Sequence, residues 1–139
     1  MTLLVIGCMS IAVLLILGTV VATTAQINRV RLLDVADAAA LDAADALDLQ
    51  AYRLGFDDTV RISSATVWQS AESHLASRER PARITSWQIE QGTGTPDGQT
   101  AVVVISGQVS LPVVGPLLDA VGGSVTITVR GDARAGLVG

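Results

Sequence analysis

The sequence predicts an α+β fold carried on a single N-terminal transmembrane helix, and three observations lead there. Residues 3–25 form an unbroken run of 23 with no ionisable side chain other than Cys8. Residues 32–49 (LLDVADAAALDAADALDL) contain no Gly or Pro, so a helix begun in the apolar run should continue as a rod. The C-terminal part alternates apolar and polar residues with the period of two that marks strands. The expected organisation is a transmembrane anchor at 1–25, an Ala/Asp-rich helical extension at 26–51 and a small α+β domain at 52–139. That domain should hold a short helix and a small antiparallel β-sheet.

About 20 apolar residues suffice to cross the ~30 Å hydrocarbon core as a helix. A cleaved signal peptide would show a basic leader and an apolar region of about 7–15 residues. Here no Lys or Arg precedes Arg29 and the apolar run is longer, so an uncleaved anchor is expected although Ala22-Thr23-Thr24-Ala25 offers small residues for cleavage. Val5-Ile6-Gly7-Cys8 matches a lipoprotein box, but the apolar run follows the thiol instead of preceding it. Cys8 reads as a small apolar helix residue.

Gly7, Ile11, Leu14, Gly18, Ala22 and Ala25 share one face of the anchor, Gly18 falling within about 20° of Gly7. Small residues on a common stripe permit close helix packing and self-association in a membrane. The general abundance of Gly and Ala in such helices explains them equally well. Arg29 and Arg31 flank the C-terminal end, and by the positive-inside rule alone they place the following domain in the cytoplasm.

Along the extension, Asp34, Asp37, Asp45 and Asp48 fall within an arc of about 80°, with Asp42 beside them. Leu32, Ala36, Ala39, Ala40, Ala43 and Leu47 occupy the opposite side. The alanine side is narrow and smooth enough for close packing on another helix or a sheet. The helix should run unbroken over about residues 3–49, roughly 70 Å. Carboxylates spaced along a straight helix splay outward and do not enclose a cation. The acidic side is read as solvated.

Residues 52–63, with Gly55, Asp57 and Asp58, read as a connector. A second helix is expected at about 64–78, with Val67, Ala71 and Leu75 along its inner side, Trp68 nearby, Glu72 and Arg78 to solvent, and Pro81 ending it. His74, the only histidine, reads as a half-buried helix residue. Strands are expected at about 83–91, 99–111 and 124–131. Residues 92–98 make a turn, and 101–105 (AVVVI) have the continuous apolar character of a central strand. Gly107 is placed at a bulge. The apolar stretch 113–121 is read as a lid over the core, with an exposed contact for a membrane or partner as the other reading.

Half the residues are hydrophobic and the net charge is −4, which argues against nucleic acid because phosphate binding needs a basic face. All nine basic residues are Arg. No nucleophile–base spacing, Cys/His metal cluster or phosphate-binding loop occurs, so neither an enzyme nor a cofactor or metal protein is expected.

The apolar run, the turn Gln26-Ile27-Asn28-Arg29-Val30-Arg31 and the stretch Ala36-Asp37-Ala38-Ala39-Ala40-Leu41-Asp42-Ala43-Ala44 resemble the N-terminal region of TadE/TadG-like proteins of the Flp (tight adherence) pilus system. Val109-Ser110-Leu111-Pro112-Val113 and Ser124-Val125-Thr126-Ile127-Thr128-Val129 are similar to the C-terminal half of TadE-like minor pilins. Arginine for every basic residue is similar to actinobacterial members. The resemblance implies a pilin-like fold and a pseudopilin-like or minor-pilin role, with the domain outside the cytoplasm and pilin or secretion-system subunits as partners. Processed prepilins of this kind carry a basic leader and an early glutamate; here the first glutamate is Glu72. Either a leader lies upstream of Met1 or the chain is an unprocessed TadG-like relative. A monomeric membrane-tethered binding module is the competing class.

Overall fold

The computed structural model describes residues 1–54, 63–111, 114–120 and 124–134, apart from the side chains of 47, 48, 50–52, 54 and 118. It has the expected α+β architecture. Helix α1 (Thr2–Leu54) is followed by α2 (Ser64–Ser77), β1 (Ile84–Ile89), β2 (Thr100–Val109), α3 (Gly115–Ala120) and β3 (Val125–Arg134). Among the described residues the strands form one antiparallel sheet, ordered β1-β2-β3.

α1 is a single helix of 53 residues, about 80 Å long. It outruns the expected end because no Gly or Pro intervenes between Thr19 and Gly55; residues 52–54, read as connector, are helical. The rest of that connector, apart from Ser63, lies outside the described residues. Ser10, Thr19 and Thr24 donate their hydroxyls to carbonyls four residues back, so these three hydroxyls in the apolar half need no outside partner.

The two halves of α1 have opposite surroundings. The most apolar stretch is uncovered by the rest of the chain, whereas Leu32, Val35, Ala36, Ala39, Ala40, Ala43 and Ala44 are buried. What covers them is the sheet and α2. The sheet's helix-facing side follows from its register: Ala101 pairs with Ala133, Val103 with Gly131, Ile105 with Val129 and Gly107 with Ile127. Gly131 is where strand and helix approach most closely, because a β-carbon there would lie 2.4 Å from the carbonyl carbon of Ala36. Leu32 reaches Gly107 in the same way, its Cδ2 3.3 Å from the position of an added Cβ. α1 therefore runs parallel to β3 and antiparallel to β2.

Two strand expectations are corrected. Gly107 marks no bulge: β2 is continuous through it, and the register shift falls on β1 between Ile84 and Ser86. Gly107 is small because Leu32 and Ile84 pack over it. β3 extends to Arg134, three residues past the expected end, because Gly131 and Ala133 continue the buried alternation with minimal side chains.

α2 is capped by Ser63, whose side chain accepts from the Thr66 amide at 3.2 Å, and buries Val67, Ala71 and Leu75. Its helical part ends at Ser77, before Pro81. Gly94, at φ +152°, tucks the β1–β2 connection against Ser64, and Thr95 donates its amide to the Ser64 hydroxyl at 3.3 Å. At the opposite end of the sheet Ser110 donates to the carbonyl of Arg83, a residue held at φ 78°, and Gly115 donates to that of Leu111. The described part of the stretch read as a lid, 114–120, contains the short α3, whose Leu117 is 68% exposed; 113, 121 and the side chain of 118 lie outside the described residues.

Candidate functional site

The anchor residues Gly7, Ile11, Leu14 and Ala22 are exposed, as is Gly18, and Ala25 is half-buried. Neither Gly7 nor Gly18 has another atom within 4 Å of an added Cβ, so the fold itself does not require glycine at either place. The stripe thus remains an open surface of the helix. The extension is different. Ala36, Ala39, Ala40 and Ala43 are 0% exposed, their surface taken up by the chain's own sheet and α2. Leu47, expected on the same side, and Asp48, expected on the acidic one, fall outside the described side chains.

On the acidic side, Asp34, Asp37 and Asp45 are exposed. Asp42 is drawn into a contact that sequence spacing did not reveal. His74 Nδ1 hydrogen-bonds Asp42 Oδ2, joining α2 to α1 across 32 positions, and Arg78 Nη1 donates to His74 Nε2 at 3.2 Å. The imidazole thus donates through one nitrogen and accepts through the other. With Nε2 occupied by a guanidinium, and no hydroxyl or thiol bonded to it among the described residues, the trio is arranged to dock α2 on α1. No group of three or more potential metal-ligating side chains is gathered among the described residues.

A groove of about 350 Å³ opens between α2 and β1, lined by Trp68, Glu72, Leu75, Trp87, Gln88 and neighbouring residues. Its walls hold both tryptophans of the chain. It offers flat apolar surface with one carboxylate and one amide at the rim, a setting for packing without a nucleophile.

Two carboxylates are tuned by local hydrogen bonds. Ser106 Oγ donates to Glu90 Oε1 at 2.5 Å and Gln88 Nε2 to the same oxygen at 2.7 Å, and these bonds lower the pKa of Glu90. Asp97 Oδ1 accepts the amides of Gln99 and Thr100, and its Oδ2 accepts the Thr100 hydroxyl. The Gln99 and Thr100 amides are the main cause of its lowered pKa. Asp97 orders the backbone leading into β2, Glu90 ties the Gln88 and Ser106 side chains together, and neither carboxylate lies in the tryptophan groove.

The most distinctive surface is therefore the exposed apolar half of α1 and the domain end beside it. No family model, curated protein or solved structure matches the chain. At that end Asn28 is 1% exposed; its Nδ2 donates to the Thr24 carbonyl at 2.8 Å. Thr24 and Ala25 are half-buried. Sequence periodicity alone did not anticipate that the fold would cover the helix so close to the apolar run, because a lone Asn between Ile27 and Arg29 reads as a polar surface residue.

Proposed function

We propose that the chain is a membrane-anchored, pseudopilin-like subunit or assembly factor of a Flp-type pilus or related secretion apparatus. α1 is its single-pass anchor and the sheet domain stands outside the cytoplasm. The observation that carries this reading is the continuity of α1: one helix supplies both an exposed apolar length sufficient to cross a bilayer and the buried spine of the domain. Such a helix presents a domain at fixed height and rotation, which suits a subunit that must register against neighbours. The resemblance of residues 3–47 to TadE/TadG-like proteins supports the assignment, and the open face at Gly7 and Gly18 is available for helix contacts in the membrane.

The alanine face of the extension does not supply that contact, since the chain's own sheet already covers it. This observation favours the second reading, a monomeric tethered module. The test is to express the full chain in a cell that assembles such fibres and follow it through shearing, alkaline carbonate extraction and cross-linking at Cys8. Retention in the carbonate-resistant membrane with cross-links to itself or to fibre subunits is expected. A carbonate-soluble chain would overturn the anchor, and a membrane-bound chain without cross-links would favour the monomeric module. Reaction of a cysteine placed at exposed Thr128 with an impermeant reagent in intact cells is expected, and protection would reverse the topology.

A further inference from the structure

We infer that the end of the domain carrying α3 is seated in the lipid headgroup layer, with Leu117 entering the apolar boundary and Arg29, Arg31 and Arg83 pairing with lipid phosphates. This rests on the reading of α1 as a membrane span. The sheet's register brings one end to the membrane. Leu32 packs at Gly107, near the C-terminal end of β2, while Ala36 packs at Gly131, farther along β3. Moving along α1 toward the apolar run therefore means moving toward Val109 and Val125, the strand ends that flank the β2–β3 connection. α3 starts at that end, where the amide of Gly115 bonds the carbonyl of Leu111 at 2.8 Å.

The vertical distances leave little room for water beneath it. Ala25 ends the apolar run, and Asn28 lies about 4.5 Å farther along the helix. The polar interfacial layer is about 5–8 Å thick on each side of the hydrocarbon core. Asn28, at 1% exposure, is thus covered by protein at a depth inside that layer. A domain that reaches this depth displaces headgroups, and the part of it placed there must be chemically suited to them.

It is. Over the described residues 114–120 (VGPLLDA) the one ionisable side chain is Asp119, and Leu117 stands 68% exposed. Around this apolar end are exposed arginines from two elements: Arg29 and Arg31 on α1, and Arg83 at the turn whose carbonyl receives the Ser110 amide. The exposed carboxylates of α1, Asp34, Asp37, Asp42 and Asp45, all lie farther from the apolar run. Apart from Asp119 on α3, basic residues at this end, the carboxylates of α1 away from it and an exposed leucine between match an anionic lipid surface, where a long basic side chain lays its stem along apolar matter and its charge among phosphates.

The test uses the full chain, with Cys8 replaced by Ser, reconstituted in phosphatidylcholine vesicles with and without phosphatidylglycerol. An environment-sensitive fluorophore is attached to Leu117→Cys, to Ala120→Cys, to Leu14→Cys as the marker of the span, and to Thr128→Cys as a solvent control. Blue-shifted emission and loss of aqueous quenching at Leu117 are expected, with the shift larger in phosphatidylglycerol and reduced there by Arg83→Gln. Ala120 gives the same reading should the Leu117 variant misfold. A buried Leu14 label with water-exposed labels at both α3 positions would overturn this inference while leaving the anchor intact. A water-exposed Leu14 label would overturn the anchor itself. Protection at Leu117 that disappears when the protein is diluted in lipid would assign the surface to a second copy and overturn the lipid contact.

Discussion

Gly131 on β3 lies against the backbone of Ala36 on α1 so closely that a β-carbon would sit 2.4 Å from the Ala36 carbonyl carbon and 2.6 Å from the Asp37 amide nitrogen. Backbone atoms of a helix cannot swing aside as a side-chain tip can. Helix and strand must separate locally if Gly131 gains even a methyl group.

Gly131→Ala should accordingly destabilise the domain by about 1–3 kcal/mol, the usual cost of overpacking. Gly107→Ala should cost less, because its nearest neighbours, at 3.3 Å, are side-chain methyl groups of Leu32 and Ile84 and not helix backbone. Denaturant titration in detergent, followed by the fluorescence of the two tryptophans, measures both. Equal effects would mean that the helix can lift from the sheet at no cost.

The alanine face yields a second contrast. Ala40→Leu, at a fully buried position, is expected to lose about 1–3 kcal/mol of stability. Asp37→Asn and Asp45→Asn, on the exposed side, should change stability by no more than about 0.5 kcal/mol. Asp42→Asn should fall between them: His74 loses its charged partner, and largely exposed pairs contribute about 0.2–1 kcal/mol. Midpoints of thermal unfolding in the same detergent rank the four variants.

Insertion is tested at the centre of the anchor. Leu14→Arg should impair membrane integration at a cost of about 2.5–3.5 kcal/mol, moving a large part of the chain into the carbonate-soluble fraction. Gly7→Ala and Gly18→Ala leave integration unchanged and bear only on contacts with other helices. Full integration of the Leu14→Arg chain would show that the apolar run does not face lipid.

Acid should loosen the β1–β2 connection. Hydrogen bonds from Ser106 and Gln88 lower the pKa of Glu90, and those from the Gln99 and Thr100 backbone lower that of Asp97. The unfolded chain therefore binds more protons in this range, so stability rises with pH. The contribution is fully present above the ordinary carboxylate pKa and is lost as pH falls through the depressed folded values. The thermal midpoint should drop over that acidic window, and Glu90→Gln with Asp97→Asn together should flatten the slope. An unchanged slope would mean that these bonds do not persist in solution.

Much of the architecture was legible in the chain because it rests on strong local signals. The rod follows from the absence of Gly and Pro between Thr19 and Gly55, the central strand from AVVVI, and the inner side of α2 from Val67, Ala71 and Leu75. What was hidden depends on pairings distant in sequence. Gly107 looked like a bulge because a glycine inside a strand gives no local sign of the leucine packed over it from another element. Asp42 was one aspartate among five, and only the docking of α2 singles it out for His74. β3 looked finished at Gly131 because small residues carry little hydropathy, although in this fold they mark the tightest contact.

The unbroken α1 also has a mechanical consequence. Without a hinge between the apolar half and the buried half, any tension, tilt or rotation imposed on the apolar half is delivered directly to the contact between Ala36 and Gly131. Load along the helix would act there as shear between α1 and β3, over a surface of small side chains that fit closely and interlock little. Axial sliding that set residue 37 in the place of Ala36 would move about 1.5 Å along the helix and turn it about 100°, bringing Asp37 against Gly131. The acidic opposite side thus acts as a ratchet stop: the domain can be pulled as one body, but the helix cannot be screwed through it.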